Sequence, residues 1–187
     1  MRATSRRMHY TYAEYLFLEE ESPIRHEYLD GEIYAMAGGT PDHAALAGSI
    51  IGILGRLSPQ CRVSTSNLRV HTPTGLTTYP DATVIYGPTQ RAADDRNAVT
   101  NPLILVEITS ASTEDYDRGD KLRHYQSIPT LREVVIVSHR EPRITLHHRD
   151  ERGWSSEEAV AGGEVPLASI GAVVRVDDVY RAGLEDA

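Results

Sequence analysis

Asn101-Pro102-Leu103-Ile104-Leu105-Val106-Glu107-Ile108-Thr109 is the stretch on which the fold turns. Its apolar run is continuous rather than alternating, which is the pattern of a strand covered on both faces. Asp117–Gln126 then has helical composition and stops before Pro129, and Glu133–Ser138 is again β-branched and apolar. Strand, helix and strand in this order describe a crossover unit. We therefore expect an α/β (α+β mixed) fold with Pro102–Ser110 as the central strand of a sheet flanked by helices.

Upstream, Thr11 with Glu14 three residues later forms a capping box, so a helix is expected over Tyr12–Glu19, ending before Pro23. Asp30-Gly31 between Arg25–Leu29 and Glu32–Met36 reads as a hairpin with a two-residue turn. Thr40 and Pro41 start a second helix, which ends at Ser58-Pro59 and buries Leu46, Ile50, Ile53, Leu54 and Leu57 at helical spacing. Arg62–His71 and Tyr79–Tyr86 read as strands joined around Pro73-Thr74-Gly75, and Gly87–Asn101 as a polar, mobile loop. Downstream, Arg143–Arg149 and Trp154–Val160 alternate around Asp150–Gly153 and read as an edge hairpin. Leu167–Gly183 is expected to supply a short strand and a closing helical turn.

The 187 residues suffice for one well-filled domain, 1–187, and show no repeat or low-complexity linker. One cysteine, Cys61, excludes a disulfide framework or a cysteine zinc cage and fits a reducing cytoplasm. The Met1–Met8 stretch carries Arg2, Arg6 and Arg7 but leads into polar sequence, so it reads neither as a signal peptide nor as a membrane anchor. With 27 acidic and 19 basic residues the net charge is −8, which argues against a general nucleic-acid coat. It leaves room for an acidic cluster that becomes attractive to phosphate once a cation is bound.

Asp81, in Tyr79-Pro80-Asp81, and Glu107 each interrupt apolar strand sequence. An ionised carboxylate facing a core is costly unless it is paired or bound to a cation. Two of them on adjacent strands make a hard-cation site, because Mg2+ takes one or two carboxylates and keeps several waters. Lys121, on the helix after the Glu107 strand, can return over the strand ends and face a phosphate. Each residue also has an ordinary role open to it. Asp81 can accept backbone hydrogen bonds at a strand end, Lys121 can pair with Asp117 at i,i+4, and Glu32 can cap its hairpin or reach the metal. His43 is placed to orient substrate or simply to be exposed, and Asn67, Arg69 and Tyr125 line the site or serve structure. No P-loop, dinucleotide fingerprint or Gly-x-Ser-x-Gly elbow is present, and the neighbours His147 and His148 point to opposite faces of a strand.

The ordered set Tyr28-Leu-Asp-Gly-Glu32, His43, Tyr79-Pro-Asp81, Asn101–Thr113, Asp117-Arg-Gly-Asp-Lys121, Tyr125 and Ile128–Glu133 resembles the Uma-type restriction endonuclease family of the PD-(D/E)XK superfamily. The resemblance spans almost the whole chain. It implies a restriction-endonuclease-like α-β-β-β-α-β core and a Mg2+-dependent (or Mn2+-dependent) DNA endonuclease acting as a homodimer. It also implies metal ligands at Asp81, Glu107 and the Ile108 carbonyl, with Glu32 and Lys121 in the same site. One position departs from the superfamily pattern: the lysine expected two residues after the glutamate is Thr109, and Lys121 supplies the cation instead. The alternative is a catalytically inactive nuclease-fold module that binds DNA or protein, the carboxylates being a structural network.

Overall fold

The computed structural model describes residues 9–36 and 38–184, so the Met1–Met8 stretch lies outside it. The chain begins with α1 (Tyr12–Glu21), whose capping box is formed: the Glu14 amide donates to the Thr11 hydroxyl and the Glu14 carboxylate accepts from the Thr11 amide. The hairpin β1 (His26–Leu29) and β2 (Glu32–Ala35) turns at Asp30 and Gly31, with φ of 51° and 82°. Both angles are those a tight turn between right-twisted strands requires. A Cβ on Gly31 would also come within 2.5 Å of His9 Nδ1. Gly31→Ala is therefore expected to lower stability by about 1 kcal/mol or more, read as the shift in urea midpoint; an unchanged midpoint would contradict this account of the turn.

Helix α2 (Pro41–Leu57) follows, capped by Thr40. Then come β3 (Cys61–Thr65), β4 (Arg69–His71), β5 (Thr77–Thr78), β6 (Ala82–Tyr86), β7 (Ala98–Val99) and β8 (Ile104–Ile108). Two short helices, α3 (Glu114–Arg118) and α4 (Asp120–Gln126), lead to β9 (Glu133–Val137), β10 (Arg143–Asp150) and β11 (Gly153–Val160). A hairpin of β12 (Glu164–Leu167) and β13 (Ala172–Arg175) and the short α5 (Val176–Val179) close the described chain.

The main sheet has six strands in the order β11-β10-β9-β8-β6-β3. β8 pairs with β9 in parallel across the helical crossover and with β6 antiparallel. Successive β8 side chains serve opposite faces. Ile104, Val106 and Ile108 join Leu46, Ile50, Ile53 and Leu54 of α2, while Leu105 joins Leu122 and Tyr125 of α4, Ile128 and Leu131. Each such aliphatic side chain contributes about 1.5–3 kcal/mol by leaving water. A second, five-stranded sheet, β2-β1-β5-β4-β7, covers the α4 side and adds Val70 and Val99 to that cluster.

Several expectations are corrected. Leu57 does not join the core; it is exposed at the last turn of α2. Arg62–His71 is not one strand, because Thr65-Ser66-Asn67 turns the chain from the large sheet into the small one, with the Leu68 amide bonded to the Thr65 carbonyl. Side chains of these residue types satisfy local backbone groups and so favour a turn over a ladder. Gly87–Asn101 is tied down rather than loose: Asn101 bonds Gln90 and Pro88, Asp95 pairs with buried Arg69 at 2.6 Å, and β7 lies within it. Within the edge hairpin, Arg143–Arg149 is an interior strand and β11 alone forms that edge of the sheet. The helix expected over Asp117–Gln126 is broken at Gly119, where a Cβ would meet the Asp115 carbonyl at 2.8 Å.

Candidate active site

The β6–β8 register pairs Ala82 with Val106 and Thr83 with Leu105, which sets Asp81, just before β6, across from Glu107. Alternation turns both side chains to the face that carries Leu105 and Ile85, away from α2. Asp81 Oδ2 accepts the Ile108 amide at 2.7 Å and faces His43 Nε2 at 3.4 Å, His43 standing in the first turn of α2. Asp81 thus performs its ordinary role at a strand end with one oxygen. Its other oxygen takes no hydrogen bond from the described residues.

From the facing side, α4 brings buried Lys121 into the cluster. Its ammonium lies 3.0 Å from Glu107 Oε1, 2.9 Å from Glu27 Oε1 and 3.6 Å from Asp117 Oδ1. Tyr125, one turn further along α4, donates its hydroxyl to Glu107 Oε1, and Thr78 on β5 donates to Glu27 Oε1. Glu107 is therefore fixed through one oxygen, as Asp81 is, and the other oxygen of each is left to a further partner.

Sequence reasoning missed Glu27 as a member of this cluster. A signal was present: Glu27 is two residues from Leu29, whose side chain packs on the α4-side core, so strand alternation turns Glu27 inward as well. Glu32 lies on the neighbouring strand, opposite Leu29, and its carboxylate accepts from the Tyr34 hydroxyl. Asn67 bonds Arg25, and Arg69 is held by Tyr79 and Asp95 beneath α1, so neither joins Lys121. Thr109 is buried, its hydroxyl 2.8 Å from His139 Nδ1.

Three carboxylates, Glu27, Glu107 and Asp117, thus surround one lysine, and Asp81 stands across the strand pair from Glu107. Burial is the main force raising the Glu107 pKa, to about 8, with Asp81 and Asp117 adding to it and Lys121 opposing it. Burial also raises Asp117. Burial alone would lower Lys121, but Glu107, Tyr125, Glu27 and Asp117 outweigh it and hold the ammonium well above its ordinary value. His43 is raised, first by its hydrogen bond to Asp81 and against burial.

These shifts give a stability prediction for the metal-free protein. Glu107 titrates near 4.5 when exposed and near 8 when folded, so between those pH values the native state binds more protons than the unfolded state. Stability must then fall as pH rises through that window. In EDTA, the thermal midpoint of the wild type is expected to drop between about pH 5 and pH 8 relative to Glu107→Gln, which cannot ionise. A pH-independent difference between the two would contradict the assignment.

Among the described residues no three His, Cys, Asp or Glu side chains are already arranged as a metal cage. The donors nonetheless fit a small hard cation: Asp81 and Glu107 offer one uncommitted carboxylate oxygen each on one face, the Ile108 main chain is adjacent, and Mg2+ needs few protein ligands. Among the described residues no helix is long and apolar enough to cross a membrane.

The chain resembles known proteins over most of its length. It is 36% identical over 179 residues to the uncharacterized protein slr1290 of Synechocystis, covering 90% of both chains. It is 30% identical over 152 residues to sll1609 of the same organism, covering 77% of this chain and 84% of that one. The crystal structure of a "putative nuclease belonging to DUF820" from Anabaena variabilis superposes with a TM-score of 0.74 at 17% identity, over 90% of this chain and 96% of that one, which shows a shared fold. Residues 12–173 match the Uma2 family, described as "putative restriction endonuclease". A mixed sheet with helices on its faces and a match over nearly the whole chain lead to one conclusion: the protein belongs to the Uma2 family and has its restriction-endonuclease-like fold.

Proposed function

We propose that this protein is a metal-dependent DNA endonuclease that hydrolyses phosphodiester bonds, with Mg2+ or Mn2+ held by Asp81, Glu107 and the Ile108 carbonyl. The observation that carries the reading is the pair of carboxylates on one face of adjacent strands, with Lys121 3.0 Å from Glu107. When bound, the metal would supply a water of lowered pKa and neutralise charge on a phosphate oxygen.

The chain's own residues do the rest. Tyr125 and the Ile108 amide fix one oxygen each of Glu107 and Asp81, so the free oxygens are oriented before any ligand arrives. Lys121 stays charged and stands where it can face a phosphate oxygen. Glu27 and Asp117 hold its ammonium in place, and Glu27 supplies the acidic group that the hairpin contributes. His43 orients Asp81 from α2. Cutting both strands of a duplex needs two such sites, which a two-fold pair of chains would supply.

A second reading has an observation in its favour. Lys121 already satisfies three carboxylates without a metal, as a purely structural ion network would. Titration calorimetry separates the two. Because burial raises the Glu107 pKa to about 8, Mn2+ binding there at pH 7 is expected to release protons, seen as a dependence of the heat on buffer ionisation enthalpy. Glu107→Gln is expected to bind more weakly and release none. Absence of Mn2+ binding by the wild type would favour the structural network.

A further inference from the structure

Arg25 stands immediately before β1, and its carbonyl accepts the Met36 amide at 2.9 Å, so the hairpin pairing continues through it. Alternation then places Arg25 on the same face as Glu27, about 7 Å along the strand. Two contacts hold its exposed side chain: the guanidinium donates to Asn67 Oδ1 in the turn after β3, and its carbon lies 5.6 Å from the centre of the Tyr79 ring. Tyr79 is itself two residues before Asp81. It is anchored by Arg69 and Glu19, and the buried Arg69 guanidinium lies 5.6 Å from the same ring.

Arg25 thus sits between the strand that brings Glu27 and the strand that brings Asp81, posed by two other segments of chain. Several other arginines, among them Arg69, Arg118, Arg123, Arg140, Arg143 and Arg181, are each matched by a carboxylate. Arg25 is held instead by an amide oxygen and a ring, and no carboxylate among the described residues neutralises it. Asn67 and Tyr79 fix its direction without cancelling its charge. A guanidinium fixed in this way retains donors for an anion, and its planar fork suits the two oxygens of a phosphodiester. In a chain of net charge −8, such a cation beside an acidic cluster gives a polyanionic strand a place to hold.

We propose that Arg25 is a substrate-binding residue, gripping a phosphate of the DNA strand next to the one presented to Asp81, Glu107 and Lys121, with Asn67 and the Tyr79 ring as its positioning partners. This rests on the endonuclease reading above. The interaction is sequence-blind, because it reads the backbone and not the bases.

The test is DNA binding by the full chain with its site residues intact, in Mg2+ with a fluorescent duplex oligonucleotide whose phosphorothioate linkages resist hydrolysis. Anisotropy titrations over a range of salt give the slope of log affinity against log salt, which counts neutralised phosphates. Adding Arg25→Gln is expected to weaken binding several-fold and to reduce the slope by about one. Adding Arg181→Gln, an equal change of charge on a distant exposed arginine, should leave both unaltered. Asn67→Ala should weaken binding while keeping the slope, since the cation remains but is no longer posed. Equal slopes with and without Arg25, in a chain that binds DNA, would overturn the role of Arg25 and leave the endonuclease reading standing. No DNA binding by the chain with Arg25 in place would overturn both.

Discussion

Lys121→Met is expected to be the most destabilising single change in the cluster, costing about 3–5 kcal/mol at pH 8, because removing one member of a buried ion pair leaves the others as uncompensated charges. Three carboxylates lie within 3.6 Å of this ammonium, and all three, Glu27, Glu107 and Asp117, are buried. Methionine fills much of the lysine stem, so loss of packing contributes little. The cost should shrink toward pH 5, where burial-raised Glu107 takes up a proton and ceases to repel its neighbours. Chemical denaturation at the two pH values measures this. A loss below about 1 kcal/mol at pH 8 would mean that Lys121 holds nothing together.

Glu107→Gln is expected to act in the opposite way on stability and far more severely on chemistry. The amide mimics the protonated acid that burial favours by raising the Glu107 pKa, so the fold should keep its stability or gain some at alkaline pH. Tyr125 and Lys121 are both left with an oxygen to contact, since the Gln carbonyl can stand where Oε1 stands. What is lost is a negative ligand, and with it the means to hold a divalent cation. Cleavage should fall at least about 10³-fold, the scale at which removal of a key electrostatic group is felt in catalysis. Asp81→Asn should behave alike in cleavage, with a stability cost from a weaker bond to the Ile108 amide.

Much of this was legible in the sequence because it depends on local patterns. The Thr11–Glu14 capping box, the Asp30-Gly31 turn, the Thr40-Pro41 helix start and the apolar run at Ile104–Ile108 each form as their residue types require. Asp81, Glu107 and Lys121 stood out as charges in apolar or crossover positions, and the structure brings the three together. The remainder depends on contacts between distant segments. Nothing near Arg62–His71 signals that its two halves enter different sheets, since that follows from β4 pairing with β5 and β7. The order of Gly87–Asn101 comes from Arg69 reaching Asp95 across 26 positions. Glu27 was hidden by its setting: a glutamate beside a turn has the composition of a solvated hairpin, and only strand alternation from Leu29 turns it inward.

The same contrast bears on Thr109. The position two residues after Glu107 is filled by a buried hydroxyl bonded toward His139. A cation reaches Glu107 from α4, one turn before Tyr125. Placing it on a helix couples the charge to the packing of α4 through Leu122 and Tyr125. It also brings Asp117 within 3.6 Å, a partner that a strand-borne lysine would not have at i,i+4 spacing.

The most direct test of the central claim is nicking of supercoiled plasmid by purified wild type and Glu107→Gln, side by side, in Mg2+, Mn2+ and EDTA. The account predicts nicking by the wild type in at least one of the two metals, none in EDTA, and none by Glu107→Gln under any condition. Equal nicking by both proteins, or nicking by the wild type that persists in EDTA, would contradict a metal nuclease built on this glutamate.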